Sequence, residues 1–385
     1  MNQAAQAPSC IVITWFSDDQ PGFLDFSYRI KSLARHYQRI TVLSTAVLKQ
    51  AELQAPGIEF VVLKGGHGLK GWLRYIWQCA AFVRRSGAQR MVALHSAVAP
   101  VTLLCPGTPS ALYWNEHPTH FAGSPPGFSP IRGPIRALRR ASMFLGARRS
   151  TLVMPIGEAH RDDLLAHGVR KDKLHMIYMG VDNSFAASSK PRAPRAADSP
   201  LRLVYVGSVQ KARGRDVMLE GMAYAITQGA NARLTIVGAN AGELSYCNSY
   251  AAKLGIAEHV DIVGRVPGSA IPGYLHGADM GVCLWEDQPW WRFNPPTKLF
   301  EYLVAGLPVM ASNIRTHTEY IRDGSNGIIF EYDSRSFGQA VVRVCAQAAM
   351  LAPMSQTALS ESARYTWETI EPTFLTAIDQ LARST

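Results

Sequence analysis

Leu203-Val204-Tyr205-Val206-Gly207 and Leu234-Thr235-Ile236-Val237-Gly238 are two short apolar, β-branched runs, and each stops at a glycine. Between them, residues 216–226 carry apolar side chains at helical spacing. Strand, tight loop, helix, strand marks a parallel pair, because parallel strands need a connection long enough to hold a helix. Working outward, strand patterns recur at 261–264, 280–284, 308–311 and 327–330, with helical stretches between them. The first half repeats the scheme, with strands at 11–15, 40–43, 58–63, 91–94, 111–114 and 151–155 and a helix over 26–37. The alternation predicts an α/β fold of two Rossmann-like, doubly wound parallel-sheet domains. They are expected to face each other across a cleft, with ligands at the carboxyl ends of the strands. The first domain is read as 1–185 and the second from 201, joined by a linker at 186–200 rich in Ala, Pro, Ser and Arg.

Bulk properties agree with two domains and narrow the setting. A chain of 385 residues exceeds what one core usually serves. No window holds eighteen uninterrupted apolar residues, and no basic segment followed by an apolar run opens the chain. Six cysteines lie scattered without C-x-x-C spacing, which points to reduced thiols rather than a metal or disulfide framework. A cytoplasmic location, peripheral to the inner face of the cell membrane, is the expectation. Charge is divided unequally: residues 1–199 hold 24 Lys/Arg against 12 Asp/Glu, and residues 200–385 hold 15 against 17.

The chemistry concentrates in Asn294-Pro-Pro-Thr-Lys-Leu-Phe-Glu301 and the following Tyr-Leu-Val-Ala-Gly306-Leu-Pro308. Two prolines stiffen a loop, and a helix begins near Thr297. The backbone N–H groups of Thr297, Lys298 and Leu299 would lie at its N-terminus, where a diphosphate binds well. Glu301, one turn in, is within reach of ribose hydroxyls. The plainer alternative is an amphipathic helix whose Glu301 merely complements the helix dipole.

This stretch resembles the donor-binding signature of family 4 glycosyltransferases with the GT-B fold, two glutamates seven residues apart before an A-x-G-x-P-V run. Glu301 matches the second glutamate, which the resemblance assigns to the nucleotide ribose, and Asn294 replaces the first. Gly207-Ser208-Val-Gln-Lys211-Ala-Arg213-Gly214 is similar to the family's G-R-L…K-G loop, whose basic groups grip the donor diphosphate. Here Arg213 takes the lysine's place, and Ser208 stands where arginine is usual, with Lys211 as a substitute. Residues 177–185 resemble the N-G-V-D…F sequence that closes the first domain, and Tyr365-Thr366-Trp367-Glu368 resembles the start of a C-terminal helix, 365–385, that crosses back to it. The second domain then runs 201–364. Arg265 and Val266 fall where the family places base contacts. In the first half, Gly22 matches a glycine loop that approaches the donor, and His117, with Glu116 and His120 as alternates, matches a histidine facing the reacting sugar.

The resemblance implies a retaining, hexosyltransferase-type reaction with a nucleotide sugar as donor and no cofactor. No Asp-x-Asp occurs, so no metal is expected; Arg213, Lys298 and the helix N-terminus would carry the leaving diphosphate. Catalytic candidates are therefore His117, Glu116, Arg213 and Lys298.

The basic first half suggests the acceptor's setting. No Asp or Glu occurs over residues 117–157, which contain Arg132, Arg136, Arg139 and Arg140, and an earlier stretch holds Trp72, Arg74 and Trp77. Basic amphipathic helices carrying Trp bind anionic membrane surfaces. A glycan or lipid-linked acceptor in surface polysaccharide or glycolipid synthesis fits. No nucleic-acid module is recognisable. The rival expectations are a nucleotide-sugar epimerase of the same architecture and a non-catalytic membrane-associated relative.

Overall fold

The structure, a computed structural model, describes residues 10–15, 23–37, 39–46, 48, 53–65, 68–119, 132–186, 192 and 199–382. The chain divides into two compact units, residues 1–179 with 370–385 and residues 180–369.

The first unit contains six parallel strands: β1 (Cys10–Ile13), β2 (Ile40–Ser44), β3 (Ile58–Val62), β4 (Met91–Ala93), β5 (Ser110–Trp114) and β6 (Leu152–Pro155), in the order β3-β2-β1-β4-β5-β6. β1, β2, β4, β5 and β6 are buried along their whole length, as strands covered on both faces must be. The helix Gly68–Ser86 turns Trp72, Tyr75, Ile76, Cys79, Ala80 and Val83 inward, a core stripe at spacings of three and four. A buried ion network stiffens this unit. The fully buried Arg29 donates to both carboxylate oxygens of Asp25 at 3.1 and 2.9 Å, to the Tyr113 hydroxyl at 2.8 Å and to the Tyr178 carbonyl at 3.0 Å. The C-terminal helix Trp367–Asp379 enters this unit at Ile370. There Ser32 donates to Glu371 at 2.5 Å, Arg35 pairs with Glu371, and His36 meets Asp379 at 2.7 Å.

The second unit repeats the topology with β7 (Leu201–Val206), β8 (Ala232–Ala239), β9 (Val260–Gly264), β10 (Met280–Cys283), β11 (Val309–Ser312) and β12 (Gly327–Phe330), in the order β12-β11-β10-β7-β8-β9. All twelve strand expectations are met, with ends shifted by one or two residues. In each sheet the order reverses beside the first strand, so a switch point lies between β1 and β4 and another between β7 and β10. Within the stretch read as linker, Arg192 is anchored in the second unit. Its guanidinium donates to the carbonyls of Leu275, His276 and Ala305, the last at the end of the helix Thr297–Val304.

Candidate functional site

The loop after β7 and the residues after β10 meet at the switch point of the second sheet. Gly207 closes β7 with φ 138°, a backbone conformation that favours glycine, and the Lys298 amine lies only 2.8 Å from where a Cβ would stand. Gly214, at φ 77°, packs where a Cβ would strike Leu284 at 2.4 Å, pressing the loop onto the end of β10. The helix Thr297–Val304 is fixed by its buried Leu299, Phe300, Tyr302 and Leu303, and the Tyr302 hydroxyl accepts the Val206 N–H at 2.9 Å. Its N-terminus therefore sits beside the carboxyl end of β7. Pro296 caps it without a side-chain acceptor.

Two cations converge there. The Lys298 amine lies 3.8 Å from the centre of the Tyr205 ring. The Arg213 guanidinium lies 4.9 Å from the Trp285 ring centre and 4.3 Å from that of Trp291. Among the described residues neither cation has a carboxylate partner. Desolvation lowers the Arg213 pKa, and both cations act on the buried Cys283 thiol. Glu301, one turn into the helix, is partly exposed, yet the protein packed around its carboxyl raises its pKa to about 7, with Lys298 opposing. Such a site offers two positive charges outside any ion pair among the described residues, open helix N–H groups and the Glu301 carboxylate, which feels the Lys298 charge. Chemically it suits an anion attached to a polyol.

The other expected residues of this unit fall around the same loops. Ser208 and Lys211 are exposed, and the Ser208 carbonyl accepts the Tyr205 hydroxyl at 2.8 Å. Asn294, Thr297 and Val266 are half-buried, and Arg265 is exposed just beyond β9. Leu299 needs a correction: its N–H donates to the Pro296 carbonyl at 3.1 Å, leaving Thr297 and Lys298 as the open amides. Trp285 and Trp291 were not anticipated. The signal was present, since Trp285 directly follows the strand expected at 280–284.

In the first unit, Gly22 and His120 lie outside the described residues. The His117 side chain is fully buried; its Nε2–H donates to Asp163 at 2.9 Å, and its Nδ1 accepts the Thr119 N–H at 3.2 Å. Desolvation lowers its pKa, which Asp163 opposes. Glu116 is the more open of the two candidates, and its carboxylate lies 3.3 Å from His95 Nε2. His95 follows β4 at the switch point of the first sheet, and its Nδ1 accepts the Ala97 N–H at 3.0 Å. His95 follows a strand just as Glu116 does, and no motif in the sequence singles it out.

The expected surface patch divides. Trp72 is core, donating its indole N–H to the Ala97 carbonyl at 2.8 Å, and the half-buried Arg139 lies over it at 4.8 Å. Both leave the patch because Trp72 belongs to the inward stripe of its helix. Trp77 (61% exposed) and Arg74 face solvent on that helix. On Arg132–Arg149, Arg136 and Arg140 are half-buried, Leu138 is 71% exposed, and the Arg132 side chain lies outside the described residues. Leu103, Leu104 and Leu145 are also exposed, on a short helix that touches both long ones and on the second of them. No helix among the described residues is long and apolar enough to cross a membrane.

Residues 200–347 match the family model described as Glycosyl transferases group 1. A D-inositol 3-phosphate glycosyltransferase of Streptosporangium roseum is 24% identical over 214 residues, 52% of this chain and 48% of that protein. The chain thus spans about half the length of the curated relatives it matches. Its fold is similar to that of Anabaena Alr3699/HepE in complex with UDP (TM-score 0.73, 15% identity, 97% of this chain and 100% of that one). The lipopolysaccharide outer core galactosyltransferase WaaB is equally similar (TM-score 0.73, 13% identity, 96% and 99% covered). Residues 200–347 are therefore similar to the glycosyl transferases group 1 family, in a chain whose two Rossmann-like domains share the fold of these two solved structures.

Proposed function

We propose that this protein is a retaining, metal-independent glycosyltransferase. It moves a hexose-type sugar from a nucleoside diphosphate sugar to a glycan or lipid-linked acceptor at an anionic membrane surface. The observation that carries the donor half is the pair Arg213 and Lys298, set against aromatic rings instead of carboxylates at the switch point of the second sheet. A diphosphate supplies the missing negative charge. The Thr297 and Lys298 amides add N–H donors, and Glu301 accepts from ribose hydroxyls. The acceptor oxygen attacks the anomeric carbon from the face the diphosphate leaves. The bond from that carbon to the phosphate oxygen breaks, and the acceptor proton passes to a phosphate oxygen. Arg213 and Lys298 stabilise the departing charge, a task worth about 3 kcal/mol per well-placed donor.

UDP is the first nucleotide to try, because a fold neighbour binds it. For the acceptor, Glu116, just past the carboxyl end of β5, is the group offered to a sugar hydroxyl. Exposed Trp77, Leu138 and Leu145 beside Arg74, Arg148 and Arg149 give apolar and basic groups for lipid headgroups. A role in surface polysaccharide or glycolipid synthesis, at the cytoplasmic face of the cell membrane, follows from that pairing. The test is calorimetry with UDP, GDP, ADP and CMP, then product analysis with the matching sugar nucleotide and lipid-extract acceptors in the presence of EDTA. A glycosylated product with the donor's anomeric configuration supports the proposal. A new sugar nucleotide would make the protein an epimerase, and nucleotide binding without any product would make it a non-catalytic relative.

A further inference from the structure

We infer that Trp285 and Trp291 are positioning residues that set the plane of the Arg213 guanidinium, so that this site requires arginine, not lysine, at position 213. The inference rests on the donor-site reading above and adds to it a cause for the position of one cation.

The two indoles lie 4.5 Å apart at 27°, and Arg213 sits within cation–π distance of both. No carboxylate among the described residues orients the guanidinium, so these rings are what holds it. The backbone that carries the rings is itself held. The Trp285 main-chain N–H donates to Ser312 Oγ at 2.9 Å, and the Trp285 carbonyl accepts the same hydroxyl at 2.9 Å. The Trp291 carbonyl accepts the Thr316 hydroxyl at 2.7 Å. Ser312 and Thr316 are fully buried, as is His317, whose Nδ1–H reaches the Ser312 carbonyl at 3.0 Å. A continuous chain of contacts thus runs from the end of β11 through two indoles to the guanidinium. A planar guanidinium can lie over an indole and still present its N–H fork to phosphate oxygens; an ammonium on a flexible stem cannot be oriented this way. Aromatic support also leaves the charge uncompensated, whereas a carboxylate in the same role would neutralise it before the diphosphate arrived.

The experiment is calorimetry of UDP, GDP and ADP, each beside its monophosphate, on the full chain and on W285L, W291L, W291F, R213K, R213L and R213L/W291L. Melting curves accompany every variant. One diphosphate should bind the natural chain, and W285L and W291L should weaken it by about tenfold or more. The monophosphate should lose far less, and W291F should restore most of the affinity. R213K should resemble W291L, and W291L should add nothing in the R213L background. Equal weakening by W291L with and without Arg213 would mean that Trp291 touches the ligand itself, overturning the positioning role. Unchanged diphosphate affinity in folded W285L and W291L would overturn it as well. If W291L does not fold, R213K decides: tenfold weaker binding at an unchanged melting temperature supports the platform, and unchanged binding sinks it. A natural chain that binds no nucleotide removes the donor-site reading, and the inference with it.

Discussion

Arg29 in the first unit and Arg213 in the second are both withdrawn from water, and they are treated in opposite ways. Arg29 is fully buried and bonded to Asp25, Tyr113 and a carbonyl. Arg213 faces two indoles and no carboxylate among the described residues. The same contrast separates the Asp163 carboxylate, bonded to His117, from the Lys298 amine, set over Tyr205. A compensated charge has its interactions complete and acts on the fold. A charge supported only by aromatic faces keeps its attraction for an anion, because a cation–π contact is worth about 0.5–2 kcal/mol and neutralises nothing.

The sharpest way to break this contrast is stability. Arg29→Met takes the counter-charge from the buried Asp25, which keeps the Tyr113 hydroxyl bond, and should cost about 3–5 kcal/mol in urea unfolding. Arg213→Ala should cost less than about 1 kcal/mol, because no buried partner is orphaned. Similar losses in the two would end the distinction. Next in size, Arg213→Ala and Lys298→Ala should each lower turnover about 100-fold with melting temperature nearly unchanged. His117→Asn should act the other way, destabilising by about 1–3 kcal/mol through Asp163. If its kcat collapses while the protein stays as stable as before, His117 belongs to the chemistry after all.

Glu301 gives a pH-dependent test. Burial raises its carboxyl from 4.5 to about 7. The folded state therefore binds this proton more tightly than the unfolded chain, and the associated stability, complete below about 4.5, is lost as pH rises through about 7. Glu301→Gln removes that loss, so its melting temperature should exceed that of the natural protein at pH 8 and match it near pH 4. Nucleotide hydroxyls should favour the ionised carboxylate, so affinity should rise across pH 7 in the natural protein and stay flat in the variant. The smallest effects belong to the surface. Trp77→Ser and Arg74→Ser should each weaken binding to anionic vesicles by about 1 kcal/mol, with the arginine's share fading in high salt. Binding that persists in both would move the membrane contact elsewhere.

The fold was legible because its signals are local. Each β-run is a few consecutive residues, and glycines at 207 and 214 mark turns whose positive φ favours glycine. The convergence of two cations was legible for a similar reason, since Arg213 and Lys298 sit in short motifs tied to strand and helix ends. The tryptophans of the first unit were only half legible. Trp72 lies on the stripe with Tyr75, Ile76 and Cys79 and is core, whereas Trp77 lies off it and is exposed. Composition grouped them; helical phase separates them.

By itself, then, the sequence determined the twelve strands, the two parallel sheets and the glycine-lined turns, because period and backbone freedom are properties of neighbours in the chain. Only the tertiary structure decided which charges are satisfied. Asp163 reaches His117, and Trp285 and Trp291 reach Arg213, through strand order that brings distant residues side by side. Compensation of charge depends on those spatial neighbours, and no local pattern encodes them.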